Sequence, residues 1–128
     1  MDLRKGVKMD TFYNAVRKDI TMIKGDTLAF NFQLQGLAGA ELVGATMTCR
    51  EKPESADYYF KRELNNGITL INFDSTTDTA TYSVRVRPDQ TRDLFVGRYY
   101  YDLEIQVDND VLTLMKGRLT LDYDVTRR

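Results

Sequence analysis

Hydrophobic residues recur along this chain with a period of two. Leu28, Phe30, Phe32 and Leu34 alternate with Ala29, Asn31 and Gln33. Successive side chains of a strand point to opposite faces, so the four large residues predict a strand with one face on a core. Ile20 and Met22 flank Thr21 and predict an earlier strand from Asp19 to Ile23, with Lys24-Gly25-Asp26 as the turn between the two. These strands either form a hairpin or bracket a sheet edge. A loop punctuated by Gly36, Gly39 and Gly44 follows. Ala45, Met47 and Cys49 then alternate with Thr46, Thr48 and Arg50 as a third strand. Pro53 stops it, because proline cannot donate to a ladder.

Tyr58 to Leu64 reads as a short strand, and Asn65-Asn66-Gly67 as a turn that tolerates positive φ. Ile68 and Leu70 define the next strand, with Phe73 a candidate third member, before a polar loop from Asp74 to Asp78. Ala80, Tyr82, Val84 and Val86 alternate with Thr81, Ser83, Arg85 and Arg87, which puts the two arginines on one solvated face. Pro88-Asp89 ends that strand. Gln90 to Val96 is too short for a full helix and predicts one helical turn, with Leu94 plugging the end of the core. From Arg98 to Val107, the residues Tyr99, Tyr101, Leu103, Ile105 and Val107 share a face. Asp108-Asn109-Asp110 then turns the chain into a closing strand or pair over Val111 to Val125. Its inward set moves from Leu112 and Leu114 to Leu119, Leu121 and Tyr123. Even has become odd, which requires one extra residue; a β-bulge at Gly117 is the expected place.

About eight short strands at this spacing predict an all-β domain, a sandwich or a barrel. The run Thr91-x-x-Leu94-x-x-Gly97-x-Tyr99 argues for the sandwich. In many immunoglobulin-like domains a tyrosine at such a corner bonds its hydroxyl back to nearby backbone. Leu94, Gly97 and Tyr99 are therefore expected as a structural corner. The expected fold is an immunoglobulin-like antiparallel β-sandwich of about 7–8 strands over residues 17–128, preceded by an N-terminal arm of residues 1–16. Within the arm, Phe12, Ala15 and Val16 would share a short helix face, and Met9 is an alternative start.

A chain of 128 residues suits a single domain, and 42% hydrophobic with 29% charged residues is a globular composition. No apolar run approaches the about 20 residues that span a bilayer. The start, Met1-Asp2-Leu3-Arg4-Lys5-Gly6, lacks the apolar stretch of a secretory signal. The 18 basic and 19 acidic residues interleave, so no net field attracts nucleic acid or an anionic membrane, and neither is expected as a partner. The single cysteine, Cys49, rules out an intrachain disulfide. It falls on an inward face, where a thiol is inert. A fold that stands on packing alone suits synthesis in a reducing cytoplasm.

Histidine is absent, which removes the commonest general base and metal ligand. Asp108 with Asp110 reads as a solvated turn, and Asp122 with Asp124 as a polar strand face. Calcium takes six or more oxygens, and a two-carboxylate hydrolase needs a cleft. Gly36-x-x-Gly39 lacks the Lys-Ser/Thr of a phosphate loop. The expectation is no enzyme, with no catalytic, cofactor-binding or metal-ligating residues. Tyr99 and Tyr101 are expected in the core, with Tyr100 on the opposite face. Tyr58 and Tyr59 are the candidate interaction surface, and sugar stacking on them supports an alternative reading as a carbohydrate- or cell-surface-binding module.

Three markers carry a resemblance. They are Ile23-Lys24-Gly25-Asp26-Thr27 followed by Phe30 and Phe32; Pro88-Asp89-Gln90-Thr91 with Leu94, Gly97, Tyr99 and Tyr101-Asp102-Leu103; and Leu114 with Lys116-Gly117 and a closing Val125-Thr126-Arg127. From Asp19 to Arg127 the chain resembles small β-sandwich proteins of tailed phages and prophages, and is similar in pattern to the N-terminal domain of baseplate upper proteins. The resemblance brings no catalytic residues. It implies a virion component in the tail, the baseplate or the head decoration, contacting other virion proteins and repeated as a homo-oligomer or by the particle's symmetry. The fibre extensions of baseplate proteins have no counterpart, so the expected role is a connector or decoration subunit.

Overall fold

The computed structural model describes residues 16–125. Most of the expected arm, with Phe12, Ala15 and Met9, therefore lies outside the described residues. Val16, its last residue, opens the first strand. The elements are β1 (Val16–Arg17), β2 (Ile20–Ile23), β3 (Leu28–Gln35), β4 (Gly44–Arg50), β5 (Phe60–Leu64), β6 (Gly67–Asp74), β7 (Thr79–Val86), a helical turn α1 (Pro88–Thr91), β8 (Gly97–Val107) and β9 (Asp110–Asp122). The protein is all-β, and its strands form one curled mixed sheet in the order β1-β9-β8-β4-β5-β6-β7-β3, with β2 also on β9. The β1·β9, β2·β9 and β5·β6 pairs are parallel.

Curling brings both halves of the sheet onto one core. Met47 and Cys49 of β4, Tyr99, Tyr101, Leu103, Ile105 and Val107 of β8, and Leu119 and Leu121 of β9 are buried there. So are Ile68 of β6 and Ala80, Tyr82, Val84 and Val86 of β7. Each set follows the period of two that its sequence displays. Phe30 and Phe32 of β3 are only half-buried, because β3 ends the strand path.

Several expectations need correction. Of the two arrangements expected for the strands at 20–23 and 28–35, the hairpin is not formed. The two strands bracket the sheet, β2 joining β9 in parallel and β3 joining β7 antiparallel. The strand expected from Tyr58 starts at Phe60. The helical turn begins earlier than Gln90, at Pro88, whose fixed φ suits a first helical position. Gln90 accepts the Arg87 N–H at 2.8 Å, and Leu94 beyond it packs on the core edge as expected. The bulge in the closing strand lies at Leu114, not Gly117: Leu103 pairs with Met115 and Glu104 with Thr113. Tyr123 lies past the end of β9 and is exposed. A second bulge, at Ile71, returns Phe73 to the face of Ile68 and Leu70.

Gly117 answers to a different demand. A Cβ there would lie 2.3 Å from the carbonyl oxygen of Lys18, at the crossing from β1 to β2. That crossing is tied to β9 and β8 on every side. Lys18 N–H donates to the Lys116 carbonyl at 2.9 Å, Arg118 N–H donates to Asp19 Oδ1 at 2.9 Å, and the Tyr101 hydroxyl donates to the Lys18 carbonyl.

Candidate functional site

Leu94, Gly97 and Tyr99 lie between α1 and β8, Leu94 packed on the core edge and Gly97 opening β8. Tyr99 is buried, and its hydroxyl donates to the Phe95 carbonyl at 2.6 Å. Thr91, which opens the run, is fully buried, and its Oγ1 accepts the Gly25 N–H at 2.9 Å. This tethers the turn after β2 to α1, a long-range role with no local signal.

Tyr58 and Tyr59 are exposed, at 51% and 45%. Neither ring is wholly free. Tyr59 meets Tyr99 edge to face at a centroid distance of 5.1 Å, and Lys61 Nζ sits 4.4 Å above the Tyr58 ring. Lys61 leads onto the outer face of the sheet. There the registers align Lys61, Thr48, Asp102, Lys116 and Arg17 in one row across β5, β4, β8, β9 and β1. The next row holds Arg50, Tyr100 and Arg118. The row on the other side holds Glu63, Thr46 and Glu104. Each strand contributes the polar half of its alternation, so a basic band with one acid at its centre arises from the same pattern that builds the core.

A concavity of about 240 Å³ opens on this band, lined by Arg17, Thr48, Arg50, Tyr100, Asp102 and Lys116 with Pro53, Tyr101 and Gly117. Arg50 is held in place: its Nη1 donates to the carbonyls of Ser55 at 3.1 Å and Ala56 at 3.0 Å. Asp102 is half-buried. Burial pushes its carboxyl above the ordinary range, the Glu104 charge adds to this, and Arg50 opposes it. The alternation marks each of these residues as outward. Their assembly depends on pairings between distant strands, which alternation does not carry.

Elsewhere, Cys49 is buried beside Met47, and burial pushes its thiol up to about 12. Arg85 and Arg87 are exposed on one face. Arg62, by contrast, shares the inward parity of Phe60 and is buried, its Nε donating to the Arg85 carbonyl at 2.8 Å. Its guanidinium lies where a Cβ on Gly67 (φ 107°) would stand. Among the described residues no group of three or more Cys, Asp or Glu could hold a metal ion. No described helix is long and apolar enough to cross a membrane. In comparison with known proteins the chain matches no protein-family model and no curated protein.

Proposed function

We propose that this chain is a non-enzymatic assembly module, a structural subunit of a tailed-phage particle, which works by pairing its open sheet edge with a strand from a neighbouring copy. The observation that carries this is β3. Among the described residues it ends the strand path and pairs on one side, with β7, in a register unbroken from Leu28 to Gln35. Its 8 residues, Leu-Ala-Phe-Asn-Phe-Gln-Leu-Gln, include no charge and no proline. Sheet edges are usually blunted by lysine, proline, bulges or short length, and β3 has none of these. An unblunted edge accepts an added strand through its backbone groups. An added strand would also cover the half-exposed Phe30 and Phe32.

The occupant is the segment before β1 of another copy. There Leu3, Val7 and Met9 share one parity, broken by Lys5, against Asp2, Arg4, Gly6 and Lys8 on the other, close to the period of a strand. Residues 1–15 reach about 50 Å when extended, ample for an eight-residue strand. Donation from copy to copy gives a heterologous interface, which closes into rings in a symmetric particle. Two features support an immunoglobulin-like sandwich as the architecture. Among the described residues the halves β2-β9-β8-β4-β5 and β6-β7-β3 are joined in strand pairing by the two-residue β5·β6 contact while sharing one core, and Tyr99 pins a tyrosine corner.

Light scattering of the full chain, of a chain lacking residues 1–15, and of Asn31→Lys/Gln33→Lys tests the reading. Oligomers are expected only from the full chain. A full chain that stays monomeric at high concentration, or variants that assemble as it does, would overturn it. The alternative, a carbohydrate- or surface-binding module using Tyr58 and Tyr59, draws on their exposure. Glycan-array binding lost in Tyr58→Ala would favour it, and an array with no binding would remove it.

A further inference from the structure

We infer that the outer-face concavity between β4, β8 and β9 binds an acidic sugar residue, a pyranose carrying a carboxylate. This site is separate from the β3 edge and does not depend on the assembly reading. Three observations point to it. First, Arg17, Arg50 and Lys116 converge on one concavity. Arg17 makes an exposed contact to Asp19 at 3.7 Å, but neither Arg50 nor Lys116 forms an ion pair among the described residues. Cationic donors at the concavity are thus available for charge-assisted hydrogen bonds.

Second, Asp102 stands in the middle of this basic band, half-buried, with Thr48 on one side and Lys116 on the other. A site for phosphate or a nucleic-acid backbone would not hold a carboxylate there, since like charges repel at close quarters. A ligand with one carboxylate and several hydroxyls resolves the conflict. The carboxylate takes the basic rim, and the hydroxyls donate to Asp102 and exchange hydrogen bonds with Thr48. Third, the walls and the size suit a sugar ring. Tyr100 and Pro53 give apolar surface beside the polar groups, as ligand sites commonly do. The volume of about 240 Å³ holds roughly eight waters, or one pyranose.

Isothermal titration of the full chain with galacturonate, galactose and inorganic phosphate provides the test. Galacturonate is expected to bind in the millimolar range, galactose and phosphate at least about tenfold more weakly. Lys116→Met, a change at an exposed position, should weaken galacturonate by about tenfold while leaving the melting temperature unchanged. Asp102→Asn should narrow the gap between galacturonate and phosphate. Absence of galacturonate binding, equal binding of galactose, phosphate binding as tight as galacturonate, or a Lys116→Met protein that binds galacturonate undiminished would each overturn the inference. Oligomerisation through β3 is read separately, by light scattering, so either conclusion can fail without the other.

Discussion

At one end of the sheet, β9 is covered by β1 and β2, whose crossing at Lys18 and Asp19 is held by Lys116, Arg118, the Tyr101 hydroxyl and the bare backbone of Gly117. At the other end, β3 runs for eight residues with β7 on one side, and its long polar side chains donate sideways, Gln33 to Thr81 and Gln35 to Thr79. The closed end is charged and tethered, and its strands are short. The open end is neutral, long and regular. Both are ends of one sheet, so exposure of the backbone does not explain the difference. Polar tethers exclude further strands, and a neutral regular edge invites one.

The largest effect is expected from breaking the closed end at its tightest point. Gly117→Ala places a methyl group against the Lys18 backbone, which cannot retreat as a flexible side chain would. Denaturant unfolding should show a loss of about 2–3 kcal/mol. A loss below about 0.5 kcal/mol, the size of an ordinary surface change, would mean that the crossing is not fixed there.

Tyr101→Phe removes one tether and leaves the ring in place, at a cost of about 1 kcal/mol. It also carries a pH signature. Burial pushes the Tyr101 hydroxyl up to about 12. The folded state therefore keeps a proton that the unfolded chain releases near pH 10. Stability from this group is intact below about pH 10 and declines as pH climbs towards about 12. Alkaline melting curves of the wild type should fall more steeply there than those of Tyr101→Phe. Parallel curves would show that the hydroxyl is not buried.

Asp102 beside the closed end tests the same linkage with a smaller effect. Its carboxyl is held above the ordinary range mainly by burial, so the folded state binds the proton more tightly and its stability falls as pH rises through the carboxylate range. Asp102→Asn should raise the melting temperature at pH 7, with the gain gone by about pH 3. An equal gain at both pH values would assign the effect to something other than the charge.

The open end should be the most tolerant. Asn31→Lys with Gln33→Lys adds charge to exposed positions of β3 and should change stability by less than about 0.5 kcal/mol. Melting curves of monomeric protein check this. A large loss would show that the edge is constrained by the domain itself, and would weaken the case that it waits for a partner.

The elements of this fold were legible because alternation is a local property, written into each strand by its neighbours along the chain. Leu34, Met47, Val84 and Leu103 are buried where that rule puts them. Partners were less legible, because they are chosen by distant contacts. Nothing near Ile20 announces Leu119 opposite it. The parity change in β9 was readable, but glycine was the wrong guide to its place: Leu114 carries the bulge and Gly117 the close approach. Leu37 and Leu42 are buried inside a glycine-punctuated loop that no period marks, Leu42 donating its N–H to the Tyr82 hydroxyl at 3.2 Å. Of the candidate site, Tyr58 and Tyr59 were legible as an exposed pair. The row from Lys61 to Arg17 was not, since it exists only once five strands are in register.

The parallel pairing of β2 with β9 sets the timing of folding. Residues 20–23 have their backbone partners at 119–122, so β2 emerges from the ribosome long before the strand it must join. Closing so wide a loop is slow, and until it closes the Lys18 and Asp19 contacts are also missing. A nascent chain stalled before residue 119 therefore carries two unpaired strand edges in place of one, with the neutral β3 among them. Productive assembly by strand exchange would have to follow release of the finished chain; exchange during translation would be misassembly.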